Sequence, residues 1–466
     1  MAFDWLEARL AERAQLGYLR KRVCQQYEKD NIICIDGEHY LNFASNDYLG
    51  MRHHEGVLQS WVEGLAQFGG GSGASPLVTG HTQAHLALEA YIADGLNRDA
   101  ALLFNSGFAA NQALCMALFS RDNHQGANHQ NPSAAAGSKH TGEIFADRLM
   151  HASFLEGAMA TKAKLRRFRH NDLAHLSNLL ANLLNKADTT NNSDKLIVTE
   201  GVFSMDGDSA PLRDMAGVAK QNKAWLMVDD AHGMGVLGEN GLGSIEAQAL
   251  SQTDVPIVMG TFGKAVGTAG AFIAGSQALI DYLVNFAKHY VYSTAMPPAQ
   301  AVATLYSLTH IAADSSRTDA LNHNVAYFRE RFSAQIGSAR RSNDDSEDEN
   351  GYTLKASSNK ASSTKASSIK ASTIKKPLNQ DSSNTHHALV LANSHSAIQP
   401  IIVGSPERAL ALSDALKARG IWIPAIRYPT VPKGEDRLRI TLSATHTQQD
   451  IDVLVDAIAL AMESTL

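Results

Sequence analysis

Val255-Pro256-Ile257-Val258-Met259-Gly260-Thr261-Phe262-Gly263-Lys264 is an apolar run that ends in a threonine, a glycine and a lysine. A second apolar run lies upstream, Ala224-Trp225-Leu226-Met227-Val228, and it ends in Asp229-Asp230-Ala231-His232-Gly233. Short runs without polar interruption read as strands buried on both faces of a sheet. Each delivers polar groups at its C-terminal end: an amine from Lys264, a carboxylate from Asp229 and an imidazole from His232. That set suits pyridoxal 5'-phosphate (PLP). The amine can form a Schiff base, and the carboxylate can keep the pyridine nitrogen protonated so that the ring acts as an electron sink.

The surrounding pattern predicts an α/β fold. From Gly80 to about Ala295, helical stretches alternate with short apolar runs such as Ala100–Phe104, Leu196–Val198 and Trp225–Val228. That alternation implies a large domain with a mostly parallel sheet flanked by helices. We place it at 51–296. Residues 1–50 form an N-terminal segment, with an amphipathic helix and a connector over 1–35 and short strands from Gly37 to Tyr48. After Pro297-Pro298 a long helical stretch leads to a smaller α+β C-terminal domain over 297–466, with strands expected at Ala397–Val403 and Arg437–Leu442. Two insertions interrupt this plan. Residues 123–140 are rich in Asn, His, Gly and Ala, and read as a surface loop. Residues from about 338 to 394 contain Lys355-Ala-Ser-Ser-Asn and near copies starting at Lys360, Lys365 and Lys370. Such a repeat carries few large apolar residues, Ile369 and Ile374, and is expected to be disordered. A basic docking tail is one reading of it, and a tolerated loop expansion is the simpler one.

At 466 residues the chain is long enough for two or three domains. Hydrophobic residues make up 44% and charged residues 19%, as in ordinary globular proteins. The formal net charge of -6, without a basic block in the patterned regions, argues against a nucleic-acid partner. Cys24, Cys34 and Cys115 have neither disulfide-framework nor zinc-site spacing, and no metal is expected. The start of the chain lacks the basic and apolar stretches of a secretory signal. No apolar run reaches the ~18–20 residues that span a bilayer. The expectation is a cytoplasmic enzyme with no membrane partner.

Each candidate residue has a plainer reading beside the chemical one. Asp229 alone would more often be a helix cap. It becomes a partner for the pyridine nitrogen because Lys264 ends a nearby strand. His232 could reach the phenolic oxygen of the cofactor, although a lone histidine is more often structural. Lys264 follows a glycine in an apolar neighbourhood, where desolvation lowers an amine pKa. Thr261 could bond the cofactor phosphate. So could the backbone at Asn105-Ser106-Gly107-Phe108, between a strand and a helix, where free N–H groups and the helix dipole favour an anion. Phe108 lies near the cofactor or belongs to the core. His151 could stack on the pyridine ring. Gly69–Ser75 is glycine-rich, but it follows a helical pattern and fits no nucleotide-binding spacing, so it reads as a wall of the site.

Several ordered motifs resemble the α-oxoamine synthases, a family of fold-type I PLP enzymes. They are Leu41 to Gly50, Ser106 to Asn111, Thr199 to Pro211, Val228 to Gly233, Thr261 to Lys264 and Tyr292 to Pro298. The resemblance covers nearly the whole chain outside the insertions. It implies that Lys264 carries the cofactor, Asp229 pairs with the pyridine nitrogen and His151 stacks on the ring. Ser204 and His232 would contact the phenolic oxygen. Gly107, Phe108 and Thr261 would lie along the cofactor. Ser293 and Thr294 would reach the phosphate of a neighbouring subunit in a homodimer. Arg439 would clamp the amino-acid carboxylate, while Arg20 and Thr430 would contact the acyl substrate. Ser396–Val403 and Ala425–Pro432 look like the branch that condenses L-alanine with a pimeloyl thioester, on CoA or acyl carrier protein. Alternatives within the family pair glycine with acetyl-CoA or serine with a long acyl chain. Outside it, the rival is a PLP-binding scaffold without turnover. Ala265-Val266 departs from the Gly-Phe that usually follows the lysine.

Overall fold

The computed structural model describes residues 3–120, 142–184, 194–343 and 389–465. The insertion at 123–140 lies outside them. At its centre is a seven-stranded sheet in the order Ala100–Phe104, Ala271–Gly275, Ile257–Thr261, Trp225–Asp229, Lys195–Glu200, Glu143–Asp147, Lys164–Phe168. The last five of these strands run parallel. Ala271–Gly275 runs antiparallel to both neighbours. The apolar runs become buried strands because helices such as Gly107–Phe119 and Leu212–Gln221 leave neither sheet face to water. Leu196, Ile197 and Val198 are fully buried, as are Leu226, Met227 and Val228.

The single antiparallel strand shapes the lysine segment. Because Ile257–Thr261 is followed directly by an antiparallel neighbour, the link between them is a short loop, not a helical crossover. Lys264 sits on that loop. Phe262 N–H donates to the Gly270 carbonyl at 2.9 Å, Thr268 N–H to Phe262 at 2.9 Å, and Gly267 N–H to Lys264 at 2.9 Å.

The N-terminal region differs from the sequence expectation. Helix Trp5–Gln15 forms, but the stretch read as a connector folds into strands Gln25–Lys29 and Ile32–Ile35. Strand Glu38–Asn42 extends this sheet, and Ile421–Trp422 joins it in parallel from the far end of the chain. Leu41, Phe43, Tyr48, Leu49 and Met51 pack in one core with Leu438, Ile440, Ile451 and Leu454. Local patterning could not show this pairing, since its partners lie hundreds of residues apart.

The C-terminal sheet has the order Val390–Leu391, Ile398–Ile402, Arg437–Thr441, Ala425–Ile426, all antiparallel. Helices Ser316–Asn343, Pro406–Lys417 and Gln448–Thr465 accompany it. Both strands expected there are present. The insertion placed at about 338–394 has narrower bounds. Its beginning continues helix Ser316–Asn343, and its end carries strand Val390–Leu391 and a fully buried Ser394. The repeat itself lies outside the described residues. Among the described residues, no helix is long and apolar enough to cross a membrane.

Gly267 locks the lysine loop against the N-terminal region. Its φ is +75°, and a Cβ there would lie 2.4 Å from the Arg52 nitrogen and 2.5 Å from the Met51 carbonyl carbon. Gly267→Ala should lower unfolding free energy by about 2–4 kcal/mol, from left-handed strain plus a clash with backbone. Gly217, inside helix Leu212–Gln221, has nothing within 4 Å. Gly217→Ala should stabilise by about 0.5–1 kcal/mol. Chemical denaturation of the two variants checks the contrast.

Candidate active site

The parallel register brings three strand ends to one edge of the sheet. Glu200 stands opposite Asp229, and Asp229 opposite Met259, two residues before Thr261. Asp229 is only 4% exposed. It accepts from Asn111 Nδ2 at 2.9 Å and from the Ala231 N–H at 3.1 Å. Both donors are neutral, and among the described residues no side chain forms an ion pair with it. A buried carboxylate in that state has strong use for a cation. Glu200, beside it, is also buried. Burial first, and then the Asp229 charge, push its pKa well above the ordinary range.

A continuous polar chain starts at the lysine. Lys264 Nζ lies 2.6 Å from His232 Nε2, and His232 Nδ1 lies 2.7 Å from the Tyr48 hydroxyl. The Tyr48 hydroxyl is 3.2 Å from Asn46 Oδ1. Arg439 donates to the Asn46 oxygen at 3.0 Å, to the Tyr48 hydroxyl at 3.4 Å, and through Nε to the Ser204 carbonyl at 2.6 Å. One assignment gives each donor an acceptor: the lysine donates to Nε2, Nδ1–H donates to the tyrosine oxygen, and the tyrosine donates to Asn46. It requires a neutral His232. Burial, with the Lys264 and Arg439 charges, holds the His232 pKa well below its usual value. Burial likewise lowers Lys264 to about 8, against the pull of Asp229 and Glu200.

The remaining candidates fall into three groups. Gly107 and Phe108 open helix Gly107–Phe119, whose cap Ser106 accepts from the Ala109 N–H at 3.2 Å. The first N–H groups of that helix have no partner inside it. Thr261 donates its hydroxyl to the Gly270 carbonyl at 2.7 Å, at the base of the lysine loop. His151 caps helix Ala152–Met159 and accepts from the Ser153 N–H at 3.2 Å. Ser204 N–H donates to Glu200 Oε2 at 3.1 Å, while its carbonyl holds Arg439. Arg20 and Thr430 form the second group. Nη2 of Arg20 meets the Thr430 hydroxyl at 2.9 Å, across 410 positions of sequence. Ser293 and Thr294 form the third. Both line a small cavity with His81, His85 and Glu89, and the Thr294 carbonyl accepts from Asn105 at 2.8 Å.

Four residues of the site carry no assigned role in the sequence reading: Asn46, Tyr48, Asn111 and Glu200. All lie in motifs quoted above, so the signal was present. What was missing was the spatial partner of each.

The residues present fit PLP. Asp229 offers a buried acceptor that only neutral groups meet. Asn111 Oδ1 and Glu200 Oε1 are buried without a hydrogen-bond partner beside it. The free helix start at Gly107 suits a phosphate, and Lys264 supplies an amine of lowered pKa. Fold and site together define an enzyme of the fold-type I PLP class.

Residues 38–343 and 370–458 match the family described as aminotransferase class I and II. The chain is 40% identical over 454 residues to an 8-amino-7-oxononanoate synthase of Aeromonas hydrophila, covering 97% of this chain and 94% of that one. It is 41% identical over 461 residues to the Cellvibrio japonicus enzyme of the same name, covering 99% and 96%. Among solved structures, a Sphingomonas wittichii serine palmitoyltransferase shares the fold. Its TM-score is 0.76 at 24% identity, covering 100% of this chain and 99% of that one. An 8-amino-7-oxononanoate synthase from Francisella tularensis matches with a TM-score of 0.65 at 26% identity, covering 91% and 98%. The chain belongs to the aminotransferase class I and II family and, within it, to the 8-amino-7-oxononanoate synthases.

Burying Lys264 has a stability consequence whose sign is fixed. Its folded pKa, about 8, lies below the ordinary 10.5. The charged amine is therefore penalised in the folded state below pH 8, and the penalty vanishes above about 10.5. Lys264→Met should raise the Tm of the cofactor-free protein at pH 7. The gain should shrink as the pH climbs toward 10. Differential scanning fluorimetry across that range measures it.

Proposed function

We propose that the chain condenses L-alanine with a pimeloyl thioester, carried on CoA or acyl carrier protein. The products would be 8-amino-7-oxononanoate, CO2 and the free thiol. Family membership makes the chain a PLP-dependent acyltransferase with a role in biotin biosynthesis. The observation that carries the amino-acid half of this reading is the unbroken chain from Lys264 to Arg439. It sets an amine at one end and a guanidinium at the other, with no competing carboxylate between them.

Asp229 would hold the pyridine nitrogen, the first turn at Gly107 and Thr261 the phosphate, and His151 the ring face. Bound there, PLP supplies an electron sink for the pair left on the amino-acid Cα when its proton departs. Arg439 has five N–H groups, of which three are engaged by Ser204, Asn46 and Tyr48. Two remain for the substrate carboxylate. Lys264, uncharged above about pH 8, takes the Cα proton. His232 Nε2, in contact with Nζ, keeps that amine aimed. The Cα–acyl bond then forms as the thioester C–S bond breaks and the thiol leaves. Loss of CO2 and return of one proton complete the balance. Arg20, fixed by Thr430, stands ready for the distal carboxylate or ester of the pimeloyl chain.

We further propose that the working unit is a homodimer. Helix Glu55–Phe68 exposes Leu58, Val62 and Leu65 along one face, and Tyr292, beside Ser293, is 81% exposed. An apolar stripe of this kind suits a second copy. That arrangement would bring Ser293 and Thr294 to the partner's phosphate.

Three measurements test these readings. Thiol release from L-alanine plus pimeloyl-CoA or pimeloyl-acyl carrier protein is expected, with release from glycine plus acetyl-CoA at least about 100-fold slower, the scale set by an acyl pocket that recognises a polar terminus. The reverse preference would overturn the substrate assignment. Arg439→Lys should raise the KM for the amino acid about 10–100-fold, because a bidentate clamp is lost. Val62→Glu should shift the sedimentation coefficient to that of a monomer and reduce activity with it.

A further inference from the structure

Beyond the last residue of strand Lys164–Phe168, the chain places His170 between two carboxylates. Nδ1 lies 3.0 Å from Asp147 Oδ1 and Nε2 lies 2.8 Å from Asp208 Oδ2. A neutral imidazole donates from one nitrogen only, so two carboxylate partners require the doubly protonated ring. Burial alone would lower its pKa, but the bonds and charges of Asp147 and Asp208 outweigh burial and raise it to about 10. Asn171 adds to the same joint. Its φ is +51°, a left-handed conformation that asparagine tolerates. There its N–H donates to Asp147 Oδ2 at 2.9 Å, and its side chain reaches Asp208 Oδ2 at 3.0 Å. Phe203 closes one side, edge-on to the histidine ring at 4.4 Å. Arg167 also faces Asp147.

The two aspartates belong to the two loops that line the site. Asp147 ends strand Glu143–Asp147, and its carboxylate accepts from the Leu149 N–H at 2.8 Å, shaping the turn that leads to His151. Asp208 closes the 203–208 turn, where Phe203 N–H donates to the Asp208 carbonyl at 2.9 Å. That turn carries Ser204, whose carbonyl orients Arg439. We propose that His170 is a positioning residue: its imidazolium ties the His151 loop to the Ser204 loop and so fixes the distance between the ring-stacking wall and the carboxylate-binding wall. The proposal rests on the functional reading above for the roles of His151 and Arg439. The joint itself rests on contacts in the structure.

The test uses PLP-loaded protein carrying His170→Leu or Asp208→Asn. Amino-acid affinity is read from the change in cofactor absorbance during titration with L-alanine, glycine or L-serine, without turnover. His170→Leu should weaken binding of the amino acid that wild type prefers about ten-fold, the scale of a sub-ångström misplacement. Asp208→Asn, which keeps one arm of the joint, should weaken it less. The KM for the acyl thioester should stay within about two-fold, since Arg20 and Thr430 are held elsewhere. Unchanged amino-acid affinity in both variants would overturn the proposal. So would equal weakening of both substrates alongside a lower Tm, which marks a structural role only. If His170→Leu fails to fold, Asp208→Asn decides. If wild type binds an amino acid but turns over neither acyl donor, the functional reading fails while the titration still judges the clamp.

Discussion

Asp229 is buried, carries an ionisable group, and meets only neutral donors, and that combination dictates what surrounds it. A carboxylate in such a place requires a positive partner to offset its desolvation. Lys264 follows the neighbouring strand, and its Nζ lies 2.6 Å from His232 Nε2. Asp229 still pulls on the Lys264 charge through space, although the two form no ion pair. Burial and the Asp229 charge raise the Glu200 pKa, which disfavours two adjacent buried charges. His232 stays neutral, which lets it receive the lysine. These neighbours surround Asp229 at the end of its strand, the place proposed for the pyridine nitrogen.

The sheet explains why these groups can be so deeply placed. Strands buried on both faces are rigid, and their C-terminal ends are the points where side chains escape into a cleft. Only Ala271–Gly275 runs the other way, and it turns the lysine segment into a tight loop. The site is completed by residues from outside this domain. Tyr48 and Asn46 come from the N-terminal region, and Arg439 from the C-terminal sheet. They arrive together because Leu41–Met51 and Leu438–Ile440 share one core. Packing of apolar residues at that seam is what holds the guanidinium about one tyrosine away from the imidazole.

The sheet and most of the site were legible in the sequence for a local reason. Unbroken apolar runs ending in Asp, His or Lys report burial and a strand end in a window of a few residues, and Trp225–Asp229 and Ile257–Thr261 followed that reading. What stayed hidden depends on partners far away in sequence. The strand pairing of Ile421 with Leu41 leaves no local trace, so the stretch before Gly37 read as a connector although it folds into a hairpin. Tyr48 and Asn111 stood in quoted motifs, yet their function lies in hydrogen bonds to His232 and Asp229. Arg20 and Thr430 were reached through family resemblance, and their direct contact is what the structure adds.

His170 shows the same limit from the other side. In the sequence it is one histidine after three basic residues in a stretch of four, and nothing local marks it out. Its significance comes from adjacent parallel strands that end at the same level, so Asp147 and the 203–208 turn flank the point where the edge strand stops. Two like charges so close would repel across the gap. One imidazolium between them converts repulsion into a joint, and it does so with both ring nitrogens used. A lysine could not serve both carboxylates in a plane, and an arginine would need a wider gap. The geometry therefore selects histidine, and it gives the cleft a fixed width before any cofactor arrives.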